Sequence, residues 1–247
     1  MTLRLALPFT GAWRAEMSPA TRVPSHGTHA FGLTHSVDFV GIDARGRSAP
    51  RTARSLVAVE PPERFVGFGR PILAPVSGTV VETHDGEADA GGRRSPVTLV
   101  PFALTQAGRL RQGLDAIAGN RVVIAIDRDS EQQSGAAGAP GGAQGAAARH
   151  GAQGAAAPGG PFVALLHLRR GSLRVRVGDR VRTGEPVAEC GGSGNSTEPH
   201  LHLQVTDSLD WPSASGIAFE LGPYRRLADG AVVERGMPRT GERIAAL

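Results

Sequence analysis

The chain has 247 residues, enough for one domain with some decoration. An apolar fraction of 40% supports a real core, while 4% aromatic residues, 34 Gly and 18 Pro suit a turn-rich β protein better than a helical bundle. The net charge is +4 and every basic side chain is arginine, with no dense basic stripe interleaved with aromatics, so no nucleic-acid partner is expected.

Cys190 is the single cysteine, which excludes an intramolecular disulfide. It ends an apolar run and reads as a buried structural thiol. The opening "MTLRLALPFTGAW" has too short an apolar run, with Pro8 and Gly11 too early, for a signal peptide. No run approaches the roughly 20 apolar residues of a transmembrane helix, so no membrane span is expected. The default expectation is a cytoplasmic protein, with export by an unrecognised route left open.

In chain order, "SHGTHAFGLTH" (25–35) carries three histidines, His26, His29 and His35. "HSVDFVGI" (35–42) alternates as a strand and contains Asp38. "GTVVET" (78–83) follows the turn "APVSG" and reads as a strand, with His84 in the turn beyond it. "RVVIAID" (121–127) and "PFVALLHL" (161–168) are two further strands. Between them, residues 134–160 are nearly all Gly, Ala, Gln and Pro, too poor in apolar surface to offset the entropy of ordering. The expected picture is a hairpin whose turn has grown into a disordered insertion containing an idle His150; loop length costs little. "EPVAEC" (185–190) is a short strand after "GDRVRTG". In "PHLHLQV" (199–205) the alternation puts His200, His202 and Gln204 on one face and Leu201, Leu203 and Val205 on the other. No long helical period stands out. After about Tyr224 the sequence is polar and weakly patterned. The fold class expected is all-β, with mostly antiparallel sheets, one face covered and another forming a groove.

Two imidazoles at i, i+2 on a strand converge on one face, as a zinc site requires. His167, within an apolar strand, reads by itself as a core residue with a satisfied hydrogen bond. Three strand-like segments each offering His or Asp make a shared site the stronger reading. A catalytic zinc takes three protein ligands and keeps one position for water, and further imidazoles nearby can handle protons.

The blocks "GRPILAPVSGTVVETHDG" and "HLRRGSLRVRVGDRVRTGEPVAECGGSGNSTEPHLHLQV" resemble the lysostaphin/LytM-type zinc metallopeptidases. The likeness keeps the family's order from about Leu5 to Tyr224, and its last block is the most specific. It implies a duplicated hybrid motif, or barrel-sandwich hybrid, over residues 1–228 with the 134–160 insertion, followed by a C-terminal tail, 229–247. It implies Zn²⁺ held by His26, Asp38 and His202, with His167 and His200 as the catalytic imidazoles. The family's commonest spacing puts its first His ligand four residues before the Asp, where this chain has Thr34. His35 is only three before it, and residues three apart on a strand face opposite sides. A longer first segment, "SH-x-G", places the ligand at His26, on the preceding strand; His29 and His35 are the alternatives.

The implied activity is metalloendopeptidase cleavage of peptide bonds in peptidoglycan cross-links or stem peptides, or in another small-residue peptide. "GGSGN" (191–195) would form a tight loop beside the cleft. The rival reading is a catalytically silent binding or regulatory module on the same fold. A lipoyl- or biotinyl-carrier role, suggested by "VRVGDRVRTGEPVAEC", is excluded by the absence of lysine. "GGSGNS" lacks the ending of a phosphate loop and the final Gly of a nucleophile elbow.

Overall fold

The structure is a computed structural model and describes residues 2–105, 108, 111, 113–127 and 160–247. The expected disordered insertion, 134–160, lies outside the described residues apart from Gly160, as does His150.

Among the described residues the strands are mostly antiparallel, as the alternating patterns suggest. The main sheet gathers β2 (Ala12–Glu16), β3 (Val37–Gly41), β5 (Gly78–His84), β6 (Asn120–Ile126), β7 (Phe162–Leu168), β8 (Arg180–Val181), β10 (Leu201–Thr206), β12 (Tyr224–Arg226), β13 (Val232–Val233) and β14 (Arg243–Ala246). Their spatial order is β13-β12-β14-β2-β3-β10-β7-β6-β5-β8. β4 (Pro71–Leu73) pairs antiparallel with β9 (Pro186–Glu189), and β1 (Leu3–Leu5) pairs parallel with β11 (Phe219–Leu221). Among the described residues the short α-helices α1 (Pro96–Leu104) and α2 (Leu114–Ala118) interrupt the β pattern.

The side chains of each strand sort by the two-residue period. Val122, Ile124, Val163, Leu165, Leu201, Leu203 and Val205 enter the larger core beneath the sheet. Phe9 stacks on Trp13 there at 4.7 Å between ring centroids and meets Phe39 edge-on at 4.9 Å. Burying each such side chain contributes roughly 1.5–3 kcal/mol. The opposite face of β6 and β7 is also covered: Val123, Ala125, Phe162, Ala164 and Leu166 pack with Trp211. Strands buried on both faces read as unbroken apolar runs, which is how "RVVIAID" and "PFVALLHL" look. On β10 the second face is polar, with His202, Gln204 and Thr206 all buried.

The C-terminal stretch 229–247 departs from expectation. It is not a tail but supplies two strands of the main sheet. β14 lies between β2 and β12, and Ile244 is fully buried in the larger core. Strands of two and four residues carry too few alternations to register as a pattern.

Candidate metal centre

β3 and β10 are antiparallel neighbours, and Asp38 lies directly opposite His202. Paired residues share a face, so carboxylate and imidazole meet: His202 Nδ1 is 2.8 Å from Asp38 Oδ1. His26 approaches from the loop before β3, with Nε2 3.2 Å from Asp38 Oδ2. One donor atom from each of His26, Asp38 and His202 lies within 4.8 Å of the others. His26 occupies a turn rather than the strand expected for it. His29 and His35 stand apart from this cluster. His29 is exposed and bonds Thr34 Oγ1 at 3.1 Å, and His35 ends the 3₁₀ segment Ala30–His35. His84 is the last residue of β5, not a turn residue, and faces Asp115.

Hydrogen bonds behind the rings favour one tautomer of each. Gln204 Nε2 donates to the Phe31 carbonyl at 3.0 Å, so the amide oxygen faces His202. It accepts from His202 Nε2–H at 2.9 Å, which leaves Nδ1 as a lone pair directed at Asp38. Ser25 and Ser36 hydroxyls both donate to the Leu33 carbonyl, and their oxygens accept from His26 Nδ1–H at 3.0 and 2.8 Å. His26 therefore presents its Nε2 lone pair. In the tautomers that these hydrogen bonds favour, one nitrogen of each ring and a carboxylate converge, as the donors to a cation would. A His/Asp/His set with nitrogen and oxygen donors fits zinc. Burial alone would raise the Asp38 carboxyl. His200 facing it, together with the contacts to His202 and His26, holds it well below the usual carboxylate range.

His167 and His200 flank this set, with ring centroids 4.6 Å apart; His167 is 5.9 Å from His202. His167 gets there through a bulge. β6 and β7 pair Asn120 with Leu168 but Val122 with Leu165, so β7 carries one residue more than its partner. Leu166 and Leu168 consequently enter opposite packing clusters although they are two apart. His167 absorbs the step at φ +60, a left-handed conformation rare outside glycine. The bulge turns it from the core side to the polar side, where its Nδ1–H donates to the Ser193 carbonyl at 2.9 Å. Burial pushes the His167 imidazole well below its ordinary range, and the neighbouring His200 and His202 push it further. His200 Nδ1–H donates to the Glu198 carbonyl at 2.8 Å, with Ser196 Oγ at 3.0 Å. Both rings thus direct Nε2 toward the cluster.

The 191–196 loop that anchors these rings packs closely against its neighbours. A Cβ on Gly191 would sit 2.4 Å from the Arg169 amide nitrogen, and Gly194 has φ +70 with the Gly119 nitrogen 2.5 Å from an added Cβ. Asp89 accepts from the Gly192 amide at 2.8 Å, and the Asn120 amide donates to Ser193 Oγ at 2.9 Å. Cys190, just before this loop, is buried, and its thiol is pushed far above the ordinary range by burial.

Sequence reasoning did not single out Gln204, Ser25 or Ser36 for a role. Gln204 was visible on the same strand face as both histidines; the serines act through loop geometry that leaves no periodic trace.

Residues 156–211 match the model of peptidase family M23. The segment includes His167, His200 and His202. Similar solved structures include the catalytic domain of the antimicrobial peptidase lysostaphin from Staphylococcus simulans, at 18% identity over 76% of this chain and 80% of that one, with a TM-score of 0.35. A glycyl-glycine endopeptidase LytM from Ruminococcus gnavus, described as putative, is 14% identical over 73% of this chain, which spans 42% of that protein, with a TM-score of 0.32. The deep-sea M23 metalloprotease pseudoalterin is 12% identical over 100% of this chain and 98% of that one, at 0.42. The match over 156–211 is to peptidase family M23, in the direction to which the lysostaphin/LytM resemblance pointed.

Proposed function

We propose that the protein is a zinc-dependent endopeptidase acting on short peptides rich in small residues, with peptidoglycan peptides as the substrate class. The observation that carries this is the convergence of a donor atom from each of His26, Asp38 and His202 beside two further imidazoles. His26 Nε2, Asp38 and His202 Nδ1 would hold the ion. Bound there, zinc would supply Lewis acidity, making water a stronger acid and polarising the scissile carbonyl.

The chain's own residues do the rest. His167 is kept neutral by burial and has its Nδ1–H committed to Ser193, so its Nε2 is free to accept a proton from the attacking water. His200, anchored the same way on Glu198, is the second group in reach, and passes a proton to the departing amine. Fixing both rings through Nδ1 removes rotational freedom before substrate arrives, which favours the reacting geometry.

The test is cleavage of pentaglycine and of purified muropeptides by the purified protein, followed by mass spectrometry, with and without chelator and with zinc restored. Chelator-sensitive cleavage at a peptide bond is expected. Stoichiometric zinc without cleavage of any of these peptides would leave a binding module instead.

A further inference from the structure

On the other side of Asp38 from His202, the polar face of the main sheet continues onto β2. Glu16 pairs with Asp38 and Arg14 with Val40, so Arg14 and Glu16 share the face that carries the metal cluster. Above this part of the sheet is a cavity of about 610 Å³, the size of a small-ligand or peptide subsite. Its lining includes Arg14, Arg47, Arg51, Arg93 and Arg94, with Glu198 as the one carboxylate among its lining residues.

Three of these guanidinium groups have carboxylate partners that are not among the lining residues. Arg14 meets Glu16, Arg47 meets Asp43 at 2.9 Å, and Arg94 meets the buried Glu60 at 2.8 Å. Those pairs hold their arginines in place. Arg51 is exposed and forms no ion pair among the described residues. Glu198 shows what the cavity wall accepts: its Oε2 takes a hydrogen bond from Ser48 Oγ at 2.7 Å, and its Oε1 is 4.0 Å from Arg14 Nη2. The main-chain carbonyl of the same residue anchors His200. The cavity is therefore built into the loop that carries a catalytic imidazole, one strand away from the proposed metal ligands.

We infer that this cavity is a subsite for a carboxylate-bearing residue of the peptide substrate, drawn in by Arg51 and held on the cavity wall. The inference rests on the peptidase reading above and adds to it a preference for acidic peptides. A planar guanidinium fork matches a carboxylate in a bidentate contact, which gives position as well as attraction.

The test uses a fluorescein-labelled Gly/Ala peptide carrying one Glu, and its Gln counterpart, titrated with the full chain by fluorescence anisotropy. A zinc chelator is present so that binding is read without turnover. The Glu peptide is expected to bind about fivefold more tightly than the Gln peptide, the scale of one partly exposed ion pair. The difference should shrink as ionic strength rises above about 0.15 M. Arg51→Ala should abolish it and Arg51→Glu reverse it, with the thermal melt unchanged. Equal binding of the two peptides, no binding of the Glu peptide, or a preference that persists in Arg51→Glu would overturn the inference. The same peptides without chelator report cleavage separately: a carboxylate preference without cleavage defeats the peptidase reading alone, and cleavage without the preference defeats the subsite alone.

Discussion

Asp38 and His202 face each other across one antiparallel strand pair, 2.8 Å apart, although 164 positions separate them in sequence. The pairing register of β3 against β10 sets this contact, so the candidate metal cluster is a product of the sheet itself. His26 is the exception, being delivered by a turn and braced by Ser25 and Ser36.

Gln204 is expected to act on the metal through His202. Gln204→Leu removes the acceptor for His202 Nε2–H and leaves the Phe31 carbonyl unpaired. Zinc affinity should fall about 10- to 100-fold, read by competition with a chromophoric chelator. Gln204→Glu keeps an acceptor for His202 and should lose less. An unchanged affinity in Gln204→Leu would show that the amide does not orient the ring.

The 191–196 loop should be intolerant of side chains. Gly194→Ala forces a Cβ against the Gly119 nitrogen and strains a φ of +70, at a cost of about 1–3 kcal/mol. The displacement would reach His167 through the Ser193 carbonyl, so cleavage should fall by more than the folded fraction does. Denaturant melts and turnover measured on the same sample separate the two effects.

Stability should depend on pH through His167. In the unfolded chain this residue titrates near its usual value of about 6.5, whereas in the folded protein it does so well below it. Between those values the unfolded chain holds the extra proton. Its contribution to stability is therefore complete above about pH 6.5 and declines as pH falls below that. Asp38, held well below its ordinary range, keeps its own contribution throughout this window and loses it only at still lower pH. His35, lowered by burial and by His29, acts in the same direction as His167. The urea midpoint should drop between about pH 7.5 and about pH 5.5, and drop less in His167→Gln. Equal slopes in the two proteins would mean that His167 is not held neutral.

The C-terminal strand should be essential. Ile244 is fully buried, and Ile244→Ala should cost about 2–5 kcal/mol, visible as a lower denaturation midpoint. A surface-like change of a few tenths of a kcal/mol would return 229–247 to the status of a tail.

Much of this was legible in the residues because the β period is short and strict. "PHLHLQV" alternates cleanly enough to put both histidines and Gln204 on one face, and the structure buries Leu201, Leu203 and Val205 on the other. Asp38 sits in a second alternating run, and antiparallel pairing brings the two faces together. His167 was harder. Strict alternation sends it into the core with Leu165, and only an extra residue in β7, invisible in a pattern of apolar letters, turns it around. His26 was reachable through the family resemblance alone, since a turn has no period. The arginines of the cavity come from β2 and from loops, so nothing in their spacing announced that they share a wall.

Zinc content, measured by inductively coupled plasma mass spectrometry on the purified wild type beside His26→Ala, Asp38→Ala and His202→Ala, is the most direct test of the metal centre. About one zinc per chain is expected in the wild type and little in each variant, with melts showing that the variants fold. A folded wild type that takes up no zinc, or a His26→Ala protein that keeps it, would contradict the assigned ligand set.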